Sequence, residues 1–204
     1  MKNSINAIIF DMGGVLVLTC DPKPREELAK HLGVPLNELN NAVFNSESML
    51  RSEMGEISKK EHWKIILRKF GREDMNVEEI DEIFWSGDCL DQDLMDYIKS
   101  LRRKYRIGFL SNAFESAREA VEEQFHFLHN FDLSIFSYEV RLRKPDVRIY
   151  HLMCEGLHTS PEQAVFIDDL LPNVEGARQA GLYGIHYQGL GELKKELSTL
   201  CNSG

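Results

Sequence analysis

The chain has 204 residues, of which 43% are hydrophobic and 28% are charged, and its formal net charge is -9. This composition is typical of a soluble globular protein, and the length allows one large domain or a core with a smaller insertion. The acidic balance argues against a general nucleic-acid-binding protein, which would need a basic face, and no apolar run approaches the ~20 residues that span a membrane.

The cysteines suggest an intracellular protein. Cys20, Cys89, Cys154 and Cys201 lie far apart in the sequence and form no CxxC pair. Their spacing indicates neither a zinc site nor a disulfide framework, so we expect reduced thiols. The first residues are too short and too polar a stretch for a signal peptide, and the expected localisation is therefore cytoplasmic.

The first predicted element is a short strand that ends in a carboxylate. Residues 7 to 10 read Ala-Ile-Ile-Phe, an unbroken apolar run that favours a strand buried on both faces in a parallel sheet. Asp11 follows, and Gly13 and Gly14 permit a sharp turn. Because α/β sheets bind ligands at the carboxyl ends of their strands, Asp11 is a candidate nucleophile or metal ligand. The segment alone is also consistent with a strand that ends in an Asx turn.

The next stretch, residues 19 to 88, is predicted to be helical. Apolar residues recur at helical spacing, Gly33 and Gly71 end two predicted helices, and Ser58 with Glu61 forms a capping box at the start of another. No convincing strand lies in this stretch. We therefore expect a small helical bundle inserted directly after the Asp11 strand.

From Asp91 onwards, predicted helices and strands alternate. Strands are expected at residues 106–110, 133–137, 164–167 and 182–187. This alternation requires right-handed crossovers and a parallel sheet, which the first strand must join to bury its apolar faces. The predicted fold class is α/β, with the helical bundle lying as a cap over the carboxyl end of the sheet.

Polar side chains follow other predicted strands as Asp11 follows the first. Ser111–Asn112 ends one strand and Asp168–Asp169 ends another, and the densest basic run, residues 141 to 144, lies between them. Taken singly, each group has an ordinary explanation as a helix cap or a solvated loop. Adjacent carboxylates at a buried strand end, however, repel one another unless a cation neutralises them.

Together these groups suit phosphoryl chemistry. Asp11 and Asp169 supply the hard oxygen ligands that Mg²⁺ prefers. Ser111, Asn112 and Lys144 supply the donors and the positive charge that a transferring phosphoryl group needs. The residues alone therefore predict a Mg²⁺-dependent phosphoryl site for a small phosphorylated substrate.

The same residues resemble the four motifs of the haloacid dehalogenase superfamily. The matching segments follow the family's order and cover essentially the whole chain: residues 10–16 (FDMGGVL), 110–112 (LSN), 144–145 (KP) and 166–169 (FIDD). The resemblance implies a Rossmann-like parallel sheet with helices on both faces, over residues 1–18 and 89–204, and a helical cap over residues 19–88. It also implies that Ser111 and Lys144 bind the phosphoryl group.

The resemblance further implies a covalent mechanism. Asp11 would form an aspartyl-phosphate and share Mg²⁺ with Asp169 and the backbone carbonyl of Gly13. Asp168 is assigned a supporting role, although either carboxylate of the Asp168–Asp169 pair could reach the ion.

The chain departs from the family pattern at Gly13. Most phosphatases of the family carry a second aspartate there, which acts as general acid and base. Its loss typically costs about 10²- to 10⁴-fold in rate, so we expect a weakened enzyme that favours leaving groups of low pKa. The glycine pair also resembles family members active on glucose 1-phosphate and the phosphatase domain fused to soluble epoxide hydrolase. Asp21 or a cap residue is a candidate substitute for the acid.

Two alternatives stay open at this stage. A 2-haloacid dehalogenase also lacks the second aspartate, but its metal-free site has no reason to hold the Asp168–Asp169 pair. A phospholigand-binding regulator that has lost its chemistry would explain Gly13. We expect no nucleic-acid or membrane partner, and the sequence does not distinguish a monomer from a homodimer. His126 and His129, predicted to share a helical face, are interpreted as surface residues.

Overall fold

The computed structural model describes residues 4–201 and has the predicted α/β architecture. Its strands are β1 Ala7–Phe10, β2 Val17–Thr19, β3 Asp88–Leu90, β4 Arg106–Ser111, β5 Leu133–Phe136, β6 Ala164–Asp168 and β7 Tyr183–His186. Five of them form a parallel sheet in the order β5-β4-β1-β6-β7, whereas β2 and β3 pair antiparallel in a separate ribbon.

Helices make up most of the remaining structure. Their bounds are α1 Lys23–Leu32, α2 Leu36–Phe44, α3 Glu47–Glu53, α4 Lys59–Lys69, α5 Val77–Trp85, α6 Gln92–Leu101, α7 Ala117–Phe125, α8 Ser137–Val140, α9 Val147–Gly156, α10 Leu171–Gln179 and α11 Leu190–Cys201. Short 3-10 turns lie at Leu128–Asn130 and Pro161–Gln163.

The central strand β1 is buried on both faces, as its unbroken apolar run predicts. Ile8 and Phe10 pack into one hydrophobic cluster with residues of α6, α7 and α11. Ala7 and Ile9 point to the opposite face and pack with residues of α9 and α10. The alternation of side chains along one strand thus joins the two helical layers to the sheet, and the fold prediction is confirmed.

Helices α1 to α5 lie between β2 and β3 and have a hydrophobic core of their own. Trp63 and Phe84 are fully buried at its centre. The predicted end signals are present, because Gly33 ends α1 in a left-handed conformation and Ser58 with Glu61 forms the capping box of α4. We refer to Lys23–Trp85 below as the helical segment.

The ribbon of β2 and β3 carries the chain into and out of the helical segment. Asp88 of β3 accepts two hydrogen bonds of 2.8 Å from Arg25 at the start of the segment. The expectation that residues 19 to 88 contain no strand is wrong at both ends, since β2 reaches Thr19 and β3 starts at Asp88. Three-residue strands are too short to give a periodic signal in the sequence.

The expectation of four reduced thiols is also wrong. Cys20 and Cys89 form a disulfide across the ribbon, with their Cα atoms 5.8 Å apart. The pairing of β2 with β3 places Leu18 opposite Cys89, which brings together cysteines 69 residues apart in sequence. Cys154 and Cys201 are free thiols. Sequence spacing alone did not indicate this disulfide, because the contact depends on the tertiary pairing of two very short strands.

The structure separates the two histidines that follow α7. His126 ends α7 in a left-handed conformation and His129 lies in the following 3-10 turn, so the predicted common helical face is wrong, although both residues are exposed.

Over residues 4–201, no helix combines the length and the apolar character that crossing a membrane requires.

Candidate active site

The site begins where the central strand ends. Phe10 is in register with Phe109 of β4 and Ile167 of β6, so Asp11 lies between the ends of those strands. The Asp11 amide donates to the carbonyl of Ile167 at 2.9 Å, and the residue is 7% exposed. The chain then turns back sharply, because the carbonyl of Met12 accepts hydrogen bonds from the amides of residues 15, 16 and 17.

Lys144 connects two carboxylates at this edge of the sheet. It lies in the loop between α8 and α9, is 1% exposed, and its Nζ is 2.6 Å from Oδ1 of Asp11 and 2.7 Å from Oδ2 of Asp168. Burial alone would lower the pKa of the Lys144 ammonium, but the charges of Asp11 and Asp168 outweigh it, and the pKa is raised. Lys144 is therefore a permanent positive charge in the site.

Asn112 holds the backbone of Lys144. Its Oδ1 accepts from the Lys144 amide at 2.8 Å, and its Nδ2 donates to the Lys144 carbonyl at 3.0 Å. Both ends of the amide are thus used in fixing the lysine loop. This contact gives Asn112 a positioning task that the prediction of a substrate-binding side chain did not include. Ser111, the last residue of β4, is 1% exposed, and its Oγ donates to the Asn112 carbonyl at 3.3 Å.

The two adjacent carboxylates have different surroundings. Asp168 is fully buried, and it accepts hydrogen bonds from Lys144, from Nδ2 of Asn173 at 3.0 and 3.1 Å, and from the amide of Leu170 at 2.8 Å. Asp169 is half-buried, and its side chain is bonded to no other residue among 4–201. Its backbone carbonyl accepts a hydrogen bond from Nε2 of His186 at 2.9 Å. His186 is not singled out in the sequence analysis, because only the pairing of β7 with β6 brings it to this strand end.

The carboxylates carry an unbalanced charge. Oxygen atoms of Asp11, Asp168 and Asp169 lie within 4.8 Å of one another. Three carboxylates and one ammonium leave two negative charges in excess when all are ionised. Burial raises the pKa of Asp11 to about 7, and burial together with Asp168 raises the pKa of Asp169.

This donor set fits a hard divalent cation. Carboxylate oxygens are the ligands that Mg²⁺ prefers, and an ion of charge +2 would balance the excess. Asp168 is engaged by Lys144, Asn173 and the backbone, which leaves Asp169 and Asp11 as the carboxylates best able to hold the ion.

An ion pair beside Lys144 brings the helical segment to this part of the sheet. Nε of Arg143 donates to Oε2 of Glu53 at 2.7 Å, and the Glu53 side chain is only 9% exposed. Glu53 is the last residue of α3, a helix that the sequence analysis does not predict. The basic run that contains Arg143 is visible in the sequence, but its pairing with Glu53 is not.

Comparisons with known proteins identify the family. A family model described as a haloacid dehalogenase-like hydrolase matches residues 5–181. The D-ribitol-5-phosphate phosphatase of Bacteroides thetaiotaomicron is 26% identical over 208 residues, which cover 98% of this chain and 100% of that protein. An uncharacterised protein of Dictyostelium discoideum is 27% identical over 150 residues, and the match covers 72% of this chain and 64% of that protein.

A solved structure shares the fold. A HAD family enzyme of Bacteroides thetaiotaomicron, in complex with magnesium and inorganic phosphate, matches with a TM-score of 0.76 at 24% identity, over 93% of this chain and 99% of that one. The family match includes every residue of the site from Asp11 to Asp169. The resemblance drawn from the four sequence motifs is therefore confirmed, and the chain belongs to the haloacid dehalogenase-like hydrolases.

Proposed function

We propose that this protein is a Mg²⁺-dependent phosphatase that hydrolyses a small phosphorylated metabolite through an aspartyl-phosphate on Asp11. The observation that carries the proposal is the cluster of Asp11, Asp168 and Asp169, in which Lys144 bonds to Asp11 and Asp168 and two negative charges remain in excess. A divalent cation and a phosphoryl group together complete such a site.

The metal is proposed to bind to Asp11, Asp169 and the backbone carbonyl of Gly13. When bound, Mg²⁺ supplies positive charge that offsets the carboxylates and the charge of the phosphoryl group. Asp168 has a different proposed role, since its hydrogen bonds with Lys144 and Asn173 suit a residue that orients the lysine.

The reaction is proposed to run in two steps. The Asp11 carboxylate attacks phosphorus, the bond from phosphorus to the leaving oxygen breaks, and the phosphoryl group passes to Asp11. Water then cleaves the aspartyl-phosphate, which releases inorganic phosphate and restores the carboxylate. Lys144 and Ser111 bind the phosphoryl oxygens in both steps, and Asn112 keeps the Lys144 loop in place.

The leaving group must depart without help from residue 13. Gly13 provides no proton donor, so the proposed enzyme favours substrates whose leaving oxygen has a low pKa, such as anomeric sugar phosphates. A phosphorylated sugar or polyol is the proposed substrate class, which is supported by the name of the ribitol-phosphate phosphatase relative.

Residues 19–88 are proposed to form a cap over this site, with residues 1–18 and 89–204 as the core. The separate hydrophobic core of the helical segment and its connection through β2 and β3 support this division. Residues 1–3 and 202–204 of these ranges lie outside the described residues.

A phosphoester screen with Mg²⁺ tests the proposal. Wild-type protein should release inorganic phosphate, Asp11→Asn should lose that activity, and a chelator should abolish it. Turnover that survives Asp11→Asn would refute the covalent mechanism. Chloride release from 2-chloropropionate in the presence of the chelator would support a haloacid dehalogenase instead. Binding of phosphate esters without turnover would support a regulatory protein.

A further inference from the structure

The ion pair between Glu53 and Arg143 connects the helical segment to the loop that carries Lys144. Two ion pairs among residues 4–201 join the helical segment to the rest of the chain, and the other one, Arg25 with Asp88, lies at the connecting ribbon of β2 and β3. Arg143 is the direct neighbour of Lys144, the phosphate-binding lysine of the proposed mechanism. The pair therefore lies beside the proposed phosphate-binding lysine, where the helical segment meets the loop between α8 and α9.

The pair is incompletely satisfied by the protein. It uses Nε of Arg143 and Oε2 of Glu53, and within the described chain neither side chain makes another hydrogen bond. Oε1 of Glu53 and both terminal nitrogens of Arg143 are left over. The Arg143 side chain is 31% exposed, and none of these unused atoms is enclosed by the described residues, so they are accessible to a ligand. This arrangement offers one charged acceptor and a fork of donors to a third group.

The local structure keeps Glu53 in place. Gly55, two residues further on, has a φ of +66°, and a Cβ at this position would lie 2.8 Å from the backbone oxygen of Tyr138 in α8. The turn after α3 is thus seated directly on the backbone that leads to Arg143. Burial raises the pKa of the Glu53 carboxyl, and the positive charges of Arg143 and Lys144 oppose that rise. The Glu53 carboxylate is therefore close enough to the phosphate-binding lysine to interact with its charge.

We propose that Glu53 and Arg143 form a subsite that binds hydroxyl groups of the leaving group, so that the preferred substrates are polyhydroxylated phosphate esters. The inference rests on the proposed phosphatase function and names the residues that select its substrate. A hydroxyl group donates to Oε1 of Glu53 and a neighbouring hydroxyl accepts from Arg143. An alkyl phosphate leaves both charges without these partners, and a site built for hydroxyl groups rejects such a ligand.

The test compares two esters with the same carbon chain, ribitol 5-phosphate and pentyl phosphate. Glu53→Gln should lower kcat/KM for ribitol 5-phosphate by about 10- to 100-fold, the range for a hydrogen bond to a charged group. The loss should lie mainly in KM, and kcat/KM for pentyl phosphate should change by less than about 3-fold. Arg143→Lys keeps the ion pair but removes the fork of guanidinium donors. It should likewise lower kcat/KM for ribitol 5-phosphate and leave that for pentyl phosphate nearly unchanged.

A matched control and a binding measurement complete the design. Glu47→Gln makes the same charge change at an exposed position of α3 and should leave kcat/KM for both esters unchanged. An equal loss on both esters in Glu53→Gln would mean that the pair only holds the helical segment, and it would overturn the inference.

Calorimetric binding of the two esters to Asp11→Asn, with and without Glu53→Gln, repeats the comparison without turnover. If wild-type protein releases phosphate from no ester of the Mg²⁺ phosphoester screen, the proposed function fails. The binding preference then decides the subsite separately, because equal affinity of the two esters in both proteins would overturn it.

Discussion

The carboxylate of Asp169 lies against the α-carbon of Gly14, in the space that a side chain at position 14 would need. Gly14 also has a φ of +74°, a left-handed conformation that residues with a Cβ adopt only at a cost. The turn after Asp11 and the position of Asp169 therefore both depend on this glycine.

Gly14→Ala should consequently weaken Mg²⁺ binding. Because Asp169 must move to make room for the methyl group, we expect the affinity to fall by about 10- to 100-fold, as for other changes that displace a metal ligand. The left-handed backbone should also cost about 1–2 kcal/mol of stability. Calorimetric titration with Mg²⁺ and thermal unfolding measure the two effects.

Gly33→Ala is the matched control for this substitution. Gly33 has a φ of +76°, and an added Cβ there meets no heavy atom within 4 Å. It should show the same loss of stability with unchanged Mg²⁺ affinity. Wild-type Mg²⁺ affinity in Gly14→Ala would contradict the proposed role of Asp169 as a ligand.

Gly13 differs from its neighbour, because an added Cβ at Gly13 meets nothing within 4 Å and its φ is not in the left-handed range. Gly13→Asp should therefore fold normally and place a carboxyl group at the position where most phosphatases of the family have their general acid. We expect turnover of alkyl phosphates with poor leaving groups to rise by about 10²-fold or more. The steady-state rate should also depend less steeply on the pKa of the leaving group across a series of esters.

Gly13→Asn separates proton transfer from side-chain bulk. It has the same shape as the aspartate but no acidic proton, and it should give no increase. A rate gain shared by both variants, or by neither, would argue that a missing acid does not limit this enzyme.

The arrangement around Asp11 was largely predictable from the sequence. An unbroken apolar run marks a central parallel strand, and the polar residues after β1, β4 and β6 must meet because parallel strands end at one edge. The sequence also indicated Lys144, although it lies in a loop after α8 rather than at a strand end.

Other features of the site were not predictable, because they depend on contacts between distant segments. The Glu53–Arg143 pair joins residues 90 positions apart, and the disulfide joins Cys20 to Cys89 through two three-residue strands. The task of Asn112 also became visible only in the structure, since holding a loop and binding a substrate need the same amide group.

The raised pKa of Asp11 predicts that stability depends on pH in the metal-free protein. Burial raises this pKa from 3.8 to about 7, so the folded state favours the protonated carboxyl. The contribution to stability is full below about pH 4 and is lost as the pH rises through about 7. Asp11→Asn lacks this loss and should be more stable than wild type at about pH 8, by at most about 4 kcal/mol.

Thermal unfolding with a chelator, from about pH 4 to about pH 8, tests this expectation. The difference between Asp11→Asn and wild type should grow with pH, and Mg²⁺ should reduce it by stabilising the wild type. Asp96→Asn, which alters an exposed carboxylate paired with Lys99, should show no such trend. A difference independent of pH would contradict the pKa argument.

The disulfide between Cys20 and Cys89 should stabilise the fold by closing a long loop of chain in the unfolded state. Reduction, or Cys20→Ser, should lower the free energy of unfolding by about 2–4 kcal/mol. Thermal unfolding with and without a thiol reductant measures the effect, and the reductant should not destabilise Cys20→Ser further. Cys201→Ser, at one of the two free cysteines, should respond to the reductant like wild type. Titration of thiols in the unfolded, unreduced protein should find the two free cysteines, and finding all four would show that the disulfide does not form.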